Sequence, residues 1–304
     1  MKHSFSVGSS LSRRNFLAVS GMASAAITSR LVLGLAAAEQ AASERPKIIP
    51  IGLELYSVRG ELARDLPNTL KTVAKIGYEV VEFYSPYFKW TSAYAKEVRA
   101  QMDDLGLRCH STHNGFESFG PGEKLAHAIE LNQILGSRYI VLASAPGGTS
   151  GLEGWKKLCQ ELTTAVDQLK PHGLSAGYHN HQAEWVKLEN GQRILEVIAA
   201  NTPKEFALQL DVGTCEEAGA DPVAWVKANP GRIKMMHLKD WAPGEKGYHV
   251  LFAEGVTPWK ELLAAAETVG GAEYFLIEQE GSRFSEFETA KRCLDTWKAM
   301  FRKA

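Results

Sequence analysis

The chain has 304 residues, of which 45% are hydrophobic and 23% charged, and its formal net charge at pH 7 is −1. These values are typical of a globular protein with a sizeable core. A net charge so near zero gives no reason to expect nucleic acid or an anionic membrane surface as a partner, so the chemistry is expected in a small-molecule site.

The N-terminal segment has the features of an export signal. Paired arginines lie in SRRNFL (12–17), and small and apolar residues follow as far as an Ala-x-Ala cleavage pattern that ends at Ala38. We expect residues 1–38 to be a twin-arginine signal peptide, which engages the twin-arginine export machinery and delivers folded protein to the periplasm, and residues 39–48 to be a linker. Because Arg30 interrupts the apolar run, we expect no stable membrane span. The alternative is a cytosolic N-terminus in which the Arg-Arg pair is fortuitous.

The cysteines are widely spaced and form no paired metal-binding pattern, which disfavours a cysteine metal site. An oxidising compartment permits a disulfide. We nevertheless expect four buried, free thiols, at Cys109, Cys159, Cys215 and Cys293.

From residue 49 onward, short apolar, β-branched runs alternate with amphipathic stretches of helical period. Four of the helical stretches stop at a glycine, namely Gly77, Gly106, Gly136 and Gly173. Eight strand-then-helix units with no GxGxxG turn favour a single (β/α)8 TIM barrel over residues 49–304 rather than a doubly wound sheet. The predicted strands are 49–57, 78–85, 107–114, 138–144, 174–181, 206–213, 233–240 and 274–280.

Catalytic groups in a (β/α)8 barrel lie at the carboxyl ends of the strands. Since alternate residues of a strand share a face, one consistent phase points polar side chains of four consecutive strands inward. Buried ionisable groups that converge in this way are costly unless a divalent cation binds them. For any one of these residues alone, a hydrogen bond to a neighbouring loop is the simpler interpretation. The inward set is His179 and His181, Gln209 and Asp211, His237 and Lys239, and Glu278 and Glu280.

The chain from residue 49 resembles the sugar phosphate isomerase/epimerase family of xylose-isomerase-like barrels. The resemblance implies a divalent metal, Mn²⁺, Co²⁺, Mg²⁺ or Zn²⁺, held by a Glu, an Asp, a His and a Glu on strands 5 to 8. It rests on LELYSVR (53–59), GYEVVEFY (77–84), YHNHQAEW (178–185), LQLDVG (208–213), AGADP (218–222), GRIKMMHLKD (231–240) and FLIEQE (275–280).

The implied metal ligands are Asp211, His237 and Glu278, with His179 at the position where many relatives have Glu. In ketose epimerases of this family the strand-5 glutamate is one of two proton-transfer groups, so its replacement puts two-base epimerisation in doubt. A His/Asp/His/Glu site is formally neutral around a divalent cation, which makes the cation a stronger Lewis acid. Two imidazoles also favour Mn, Co, Zn, Fe or Ni over Mg.

A second acid or base must then come from another residue. We predict Glu278, Glu184 and Lys239 as catalytic residues, with His113 and Glu280 as further candidates for proton transfer. A structural role is the alternative for each: Glu184 can bond a loop backbone or an arginine, and Lys239 can pair with a nearby carboxylate. The predicted substrate-binding residues are His181, His113, Glu54, Glu82 and Trp241.

We expect an unphosphorylated substrate, because the periplasm is poor in sugar phosphates. The loop APGGTSG (145–151) is a candidate phosphate nest, although a flexible loop is the simpler interpretation. The leading hypothesis is a metal-dependent isomerase/epimerase that acts on a keto-sugar or sugar derivative through an enediolate. One alternative is a lyase, dehydratase or glycoside-cleaving enzyme that acts on 3-keto-glycosides by β-elimination. Another is a non-catalytic periplasmic carbohydrate-binding barrel, and the sequence leaves a homo-oligomer open.

Overall fold

The structure is a computed structural model that describes Met1 and residues 49–301. The signal peptide predicted over residues 1–38 and the linker over residues 39–48 lie, apart from Met1, outside the described residues. Within the described part of the chain, no helix is both long enough and apolar enough to cross a membrane.

Eight parallel strands close into a barrel, which confirms the predicted (β/α)8 architecture. Consecutive strands are neighbours throughout, and the last strand pairs with the first. The strands are β1 (Ile51–Glu54), β2 (Val80–Phe83), β3 (Arg108–Asn114), β4 (Tyr139–Leu142), β5 (Ser175–His179), β6 (Ala207–Asp211), β7 (Met235–Leu238) and β8 (Tyr274–Ile277).

Helices surround the barrel, and at least one follows every strand. Two of them, α1 and α7 below, are additional short helices directly after β1 and β6. The helices are α1 (Arg59–Arg64), α2 (Leu66–Ile76), α3 (Ser92–Leu105), α4 (Glu123–Leu135), α5 (Gly151–Leu169), α6 (Ile194–Asn201), α7 (Val212–Glu217), α8 (Pro222–Ala228), α9 (Trp259–Ala265) and α10 (Glu286–Phe301).

The glycines predicted to end helices do so. Gly77, Gly106 and Gly136 follow α2, α3 and α4 with φ of 108°, 73° and 80°, in the left-handed region that favours glycine. Gly173 has φ 72° after the short 3₁₀ turn that extends α5. The four cysteines are buried and free, as expected.

Each observed strand lies inside its predicted range, but two end early because a polar side chain caps the next helical turn. The Glu54 carboxylate accepts a hydrogen bond from the Leu55 N–H (2.8 Å) and starts a 3₁₀ turn. The Asp211 carboxylate accepts from the Thr214 N–H (2.8 Å) and caps α7. The residues that end these strands are therefore also polar groups of the barrel mouth.

Candidate functional site

Inside the barrel, a polar layer lies directly above an apolar one. The lower layer packs aliphatic and tyrosine side chains from several strands into one cluster. Since residues two apart on a strand face the same side, the next inward position on each strand belongs to the mouth of the barrel. Four strands show the change from apolar to polar: Val80 to Glu82, Ala207 to Gln209, Met235 to His237, and Leu276 to Glu278.

The structure brings the four predicted metal ligands together. His179, Asp211, His237 and Glu278 are all buried, and one potential ligand atom of each lies within 4.8 Å of those of the others. His237 Nδ1 lies 2.6 Å from Glu278 Oε2, and His179 Nε2 lies 3.9 Å from Asp211 Oδ2. The inferred strand phase thus places these side chains at a single point.

Two atoms of this cluster have no hydrogen-bond partner within the described residues. Asp211 Oδ2 and His179 Nδ1 are buried without a hydrogen bond, which is costly for a polar atom. Burial, followed by the neighbouring His237, holds the pKa of His179 well below its usual range, so its imidazole is neutral and has a lone pair to donate. A carboxylate oxygen without a hydrogen bond and a neutral imidazole fit a divalent cation. Burial opposes the charge of His237, but Glu82 and Glu278 raise its pKa, so this residue would release a proton to join them.

Glu82 lies beneath this cluster rather than in the cleft. Its side chain is fully buried and bonds His237 Nε2 at 2.6 Å, Gln209 Nε2 at 2.9 Å and the Ser111 hydroxyl. Burial opposes its charge, but His113 and His237 outweigh that effect and lower the pKa of Glu82. The geometry therefore does not support the predicted role of Glu82 in substrate binding. The carboxylate orients the His237 ring, as carboxylates commonly do for metal-binding histidines.

Lys239 is a buried cation beside the cluster. Its Nζ lies 2.8 Å from Glu280 Oε1, 3.3 Å from Glu278 Oε1 and 3.9 Å from Asp211 Oδ2. Burial opposes the charge, but these carboxylates, Glu278 first, raise the pKa of Lys239 well above its usual range. Lys239 is therefore charged, and it lines the cleft.

Glu54 presents a free carboxyl oxygen at the cleft. Its Oε2 accepts from the Leu55 N–H, whereas Oε1 is buried with no hydrogen-bond partner. Burial, and then the nearby Glu82, raise the pKa of Glu54 well above its usual range. The group is thus suited to bond a substrate hydroxyl, in line with its predicted role.

His113 and His181 both line the cleft, on either side of His179. The His113 ring centroid lies 4.7 Å from that of His179, and its Nε2 bonds Gln209 Oε1 at 2.7 Å. The His181 ring centroid lies 4.9 Å from that of His179. Both can reach a ligand that binds over His179.

Two predicted site residues, Glu184 and Trp241, are not among the residues that line the cleft. Glu184 is buried, its Oε1 accepts from the Tyr178 hydroxyl (2.7 Å) and its Oε2 accepts from the His181 N–H (2.8 Å). Both oxygens are thus occupied in capping a 3₁₀ turn after β5, so we assign Glu184 no proton transfer. Trp241 lies in a loop held by Asp240, which accepts from the Trp241 N–H (2.9 Å), and its side chain is not among those that line the cleft.

The cleft above the cluster has a volume of about 550 Å³, enough for a small molecule. Several of its wall residues were not predicted as site residues. Tyr56 and Tyr84 each come two residues after the inward-facing Glu54 and Glu82, and their rings meet edge to face at 5.2 Å. This two-residue spacing in the sequence could have identified both tyrosines as wall residues of the cleft. The other unpredicted wall residues include Ser85, Phe88, Asn114, Glu117 and Ser144.

The chain is similar to several known proteins. It is 23% identical to an inosose dehydratase of Mesomycoplasma hyopneumoniae (strain 7448) over 224 residues, which cover 67% of this chain and 72% of the relative. A crystal structure of a sugar phosphate isomerase/epimerase from Parabacteroides distasonis ATCC 8503 is similar with a TM-score of 0.70 and 25% identity, over 83% of this chain and 94% of the other. A crystal structure of the IOLI protein with a zinc atom has the same fold, with a TM-score of 0.63 and 16% identity, over 84% of this chain and all of the other. The family model for the xylose isomerase-like TIM barrel matches residues 70–300, and the chain belongs to this family.

Proposed function

We propose that this chain is a metal-dependent enzyme that removes the proton α to the carbonyl of an unphosphorylated keto-sugar, and that β-elimination follows. The observation that carries the proposal is the buried cluster of His179, Asp211, His237 and Glu278 under a cleft of small-molecule size. The dehydratase relative supports a lyase outcome.

The residues that would hold the cation are those four, and the zinc in a protein of the same fold supports this assignment. A divalent cation bound there would polarise a substrate carbonyl and so increase the acidity of the neighbouring C–H. The two imidazoles favour Zn, Co, Mn, Fe or Ni over Mg.

Glu278 is the proposed base. It lines the cleft, and its Oε2 bonds His237 while Oε1 faces Lys239. Burial opposes the charge of Glu278, but Lys239 and His237 hold its pKa well below its usual range, so the carboxylate is ionised and can accept a proton. Lys239, 3.3 Å from it, is the proposed donor to the departing oxygen.

The acid–base groups lie mainly on one side of the mouth, and this favours elimination over epimerisation. Glu54, Lys239 and Glu278 belong to the ends of β1, β7 and β8, whereas the β5 side offers His179, assigned to the cation, and His181. Epimerisation needs proton carriers on both faces of the substrate carbon. Elimination, or an isomerisation that returns the proton to the face it left, needs one.

An isomerase is the second candidate. It shares the same proton abstraction, and the solved structure of a sugar phosphate isomerase/epimerase at 25% identity supports it. In this case Glu278 or Lys239 returns the proton to the neighbouring carbon. The strand-5 histidine makes a two-base epimerase the least favoured form of this candidate.

A phosphorylated substrate is disfavoured by the charge of the cleft. Its walls contain four carboxylates and Lys239, which is already paired with Glu278 and Glu280. A phosphate dianion would be repelled there. The four carboxylates are those of Glu54, Glu117, Glu278 and Glu280.

We further propose that the protein is periplasmic, because the sequence predicts a twin-arginine signal.

The test is metal analysis of the purified mature protein, followed by incubation with keto-sugars and keto-glycosides in D₂O. Release of the β-substituent supports elimination, and deuterium incorporation with conversion between aldose and ketose supports isomerisation. Bound metal and bound sugar without any exchange would instead identify a carbohydrate-binding barrel. A protein that purifies without metal and takes up none would refute the proposal.

A further inference from the structure

A second cavity adjoins the cleft. It measures about 310 Å³ and lies between the 3₁₀ turn Ser85–Lys89, the turn Phe116–Ser118 and α4. Its lining includes Phe88 and Glu117, which also line the cleft. The two cavities therefore meet at these two side chains.

The inner surface of the side cavity is apolar. Tyr87, Ala128 and Leu131 form it together with the ring of Phe88. Two of the polar atoms in the lining are already bonded: the Tyr87 hydroxyl to Asn114 Oδ1 (2.6 Å), and His127 Nε2 to the Phe88 carbonyl (3.1 Å).

An occupant rich in hydroxyl groups would find few free partners on this surface, whereas an aromatic ring would pack against Phe88 and bury apolar area. The charged side chains Glu117, Glu123 and Lys124 are exposed at the rim. The lining thus selects a flat, apolar group with a polar link to the cleft.

We propose that the side cavity holds the aryl aglycone of a glycoside whose sugar ring occupies the cleft. This inference rests on the proposed elimination and names its leaving group. Glu278 takes the proton from the carbon between the keto group and the anomeric carbon, and that electron pair forms the C=C bond as the anomeric C–O bond breaks. The phenolate is a weaker base than the amine of Lys239, whose pKa is raised well above its usual range, so it leaves as the anion and takes its proton from water. A phenol, with a pKa of about 10, leaves more readily than an alcohol.

Binding can be measured without turnover. The probes are phenyl and methyl glycosides of glucose, galactose and mannose in both anomers, which have no keto group and are not consumed. Calorimetry with the metal-loaded, full-length mature protein should show at least about tenfold tighter binding of the best phenyl glycoside than of its methyl counterpart.

The variant Ala128→Leu fills the side cavity and should reduce that preference to about twofold, with affinity for the methyl glycoside unchanged. Ala126→Leu makes the same change on the exposed face of α4 and should keep the preference. A thermal unfolding scan of each variant checks that it folds. As a measurement that needs no variant, an azidophenyl glycoside should photolabel α4 or the segment around Phe88.

Equal binding of phenyl and methyl glycosides, an undiminished preference in folded Ala128→Leu, or photolabelling elsewhere would overturn the side-cavity assignment. Deuterium exchange on keto-sugars then tells the two proposals apart. Exchange without glycoside binding refutes the aryl site alone, whereas the absence of both exchange and binding refutes the proposed function as well.

Discussion

The two sides of the barrel mouth differ in what they can do to a bound sugar. The side formed by β7, β8 and β1 carries Lys239, Glu278, Glu280 and Glu54, all of which line the cleft. The side formed by β4 and β5 offers no carboxylate to the cleft within the described residues. The first side contains the proposed proton carriers, whereas the second offers one proposed cation ligand, His179, and side chains that can bond hydroxyls.

The difference arises from one substitution and one capping interaction. His179 stands where the family resemblance leads one to expect a glutamate, and the nearest carboxylate along the chain, Glu184, is bonded to Tyr178 and the His181 N–H. Under the proposed function, the chemistry is therefore restricted to what the other face can complete.

Removing a proposed metal ligand should have the largest effect. Asp211→Asn takes a negative charge from the cluster and should lower both metal content and turnover at least about 100-fold. Mass spectrometry of bound metal and a turnover assay measure this. Asp295→Asn, the same change on the exposed face of α10, should leave both unchanged. Full metal content in folded Asp211→Asn would contradict the assignment.

A pair of variants tests the asymmetry of the mouth directly. Glu278→Gln should slow α-deuterium exchange by about 10²- to 10⁴-fold, because it removes the proposed base. His181→Ala should slow it by less than about tenfold, as expected for one lost hydrogen bond to the substrate. The test compares the exchange rates of the two variants in D₂O, with metal content as a control. Equal losses in both variants would indicate proton carriers on both faces.

The fold and the convergence of the cluster were accessible from the sequence because both follow from local periodicity. Residues two apart on a strand share a face, and parallel strands of a barrel bring their carboxyl ends together, so the phase of β5 to β8 sufficed for His179, Asp211, His237 and Glu278.

The loops were not accessible in the same way, because their side chains choose between partners that only the tertiary structure supplies. Glu184 follows His181 by three residues, a spacing that fits either a group in the cleft or a capping box, and the capping box forms. Asp240 bonds the Gly255 N–H, the Thr257 hydroxyl and Trp259 Nε1, which sets the path of the Trp241 loop. No short-range pattern specifies these contacts.

The capping role of Glu184 predicts a loss of stability rather than of chemistry. Glu184→Ala leaves the Tyr178 hydroxyl and the His181 N–H without a buried acceptor and should cost about 1–3 kcal/mol, or about 2–4 °C in Tm for each kcal/mol. Turnover per folded molecule should be unchanged. Glu196→Ala removes a similar capping carboxylate from the exposed start of α6 and should cost less. A loss of turnover at constant metal content and Tm would restore Glu184 to the catalytic set.

The smallest predicted effect concerns the loops on the charged side of the mouth. Glu254, after β7, pairs with both terminal nitrogens of Arg283, after β8, at 2.7 and 2.8 Å. The hydrogen bonds from Arg283 lower the pKa of Glu254 to about 2 from 4.5. The stabilisation is therefore complete above pH 4.5, the value in the unfolded chain, and is lost as the pH falls towards 2.

Because both side chains of this pair are largely exposed, Glu254→Gln should lower the free energy of unfolding at pH 7 by at most about 1 kcal/mol. Urea unfolding should show that the free energy of unfolding of Glu254→Gln differs less from that of the parent protein at pH 3 than at pH 7. Glu153→Gln, in an exposed pair with Lys156 on α5, serves as the control and should change stability less at pH 7. A difference that grows on acidification would mean that the charge of Glu254 destabilises the fold. In that case the Glu254–Arg283 salt bridge would not stabilise the contact between the β7 and β8 loops beside Lys239 and Glu278.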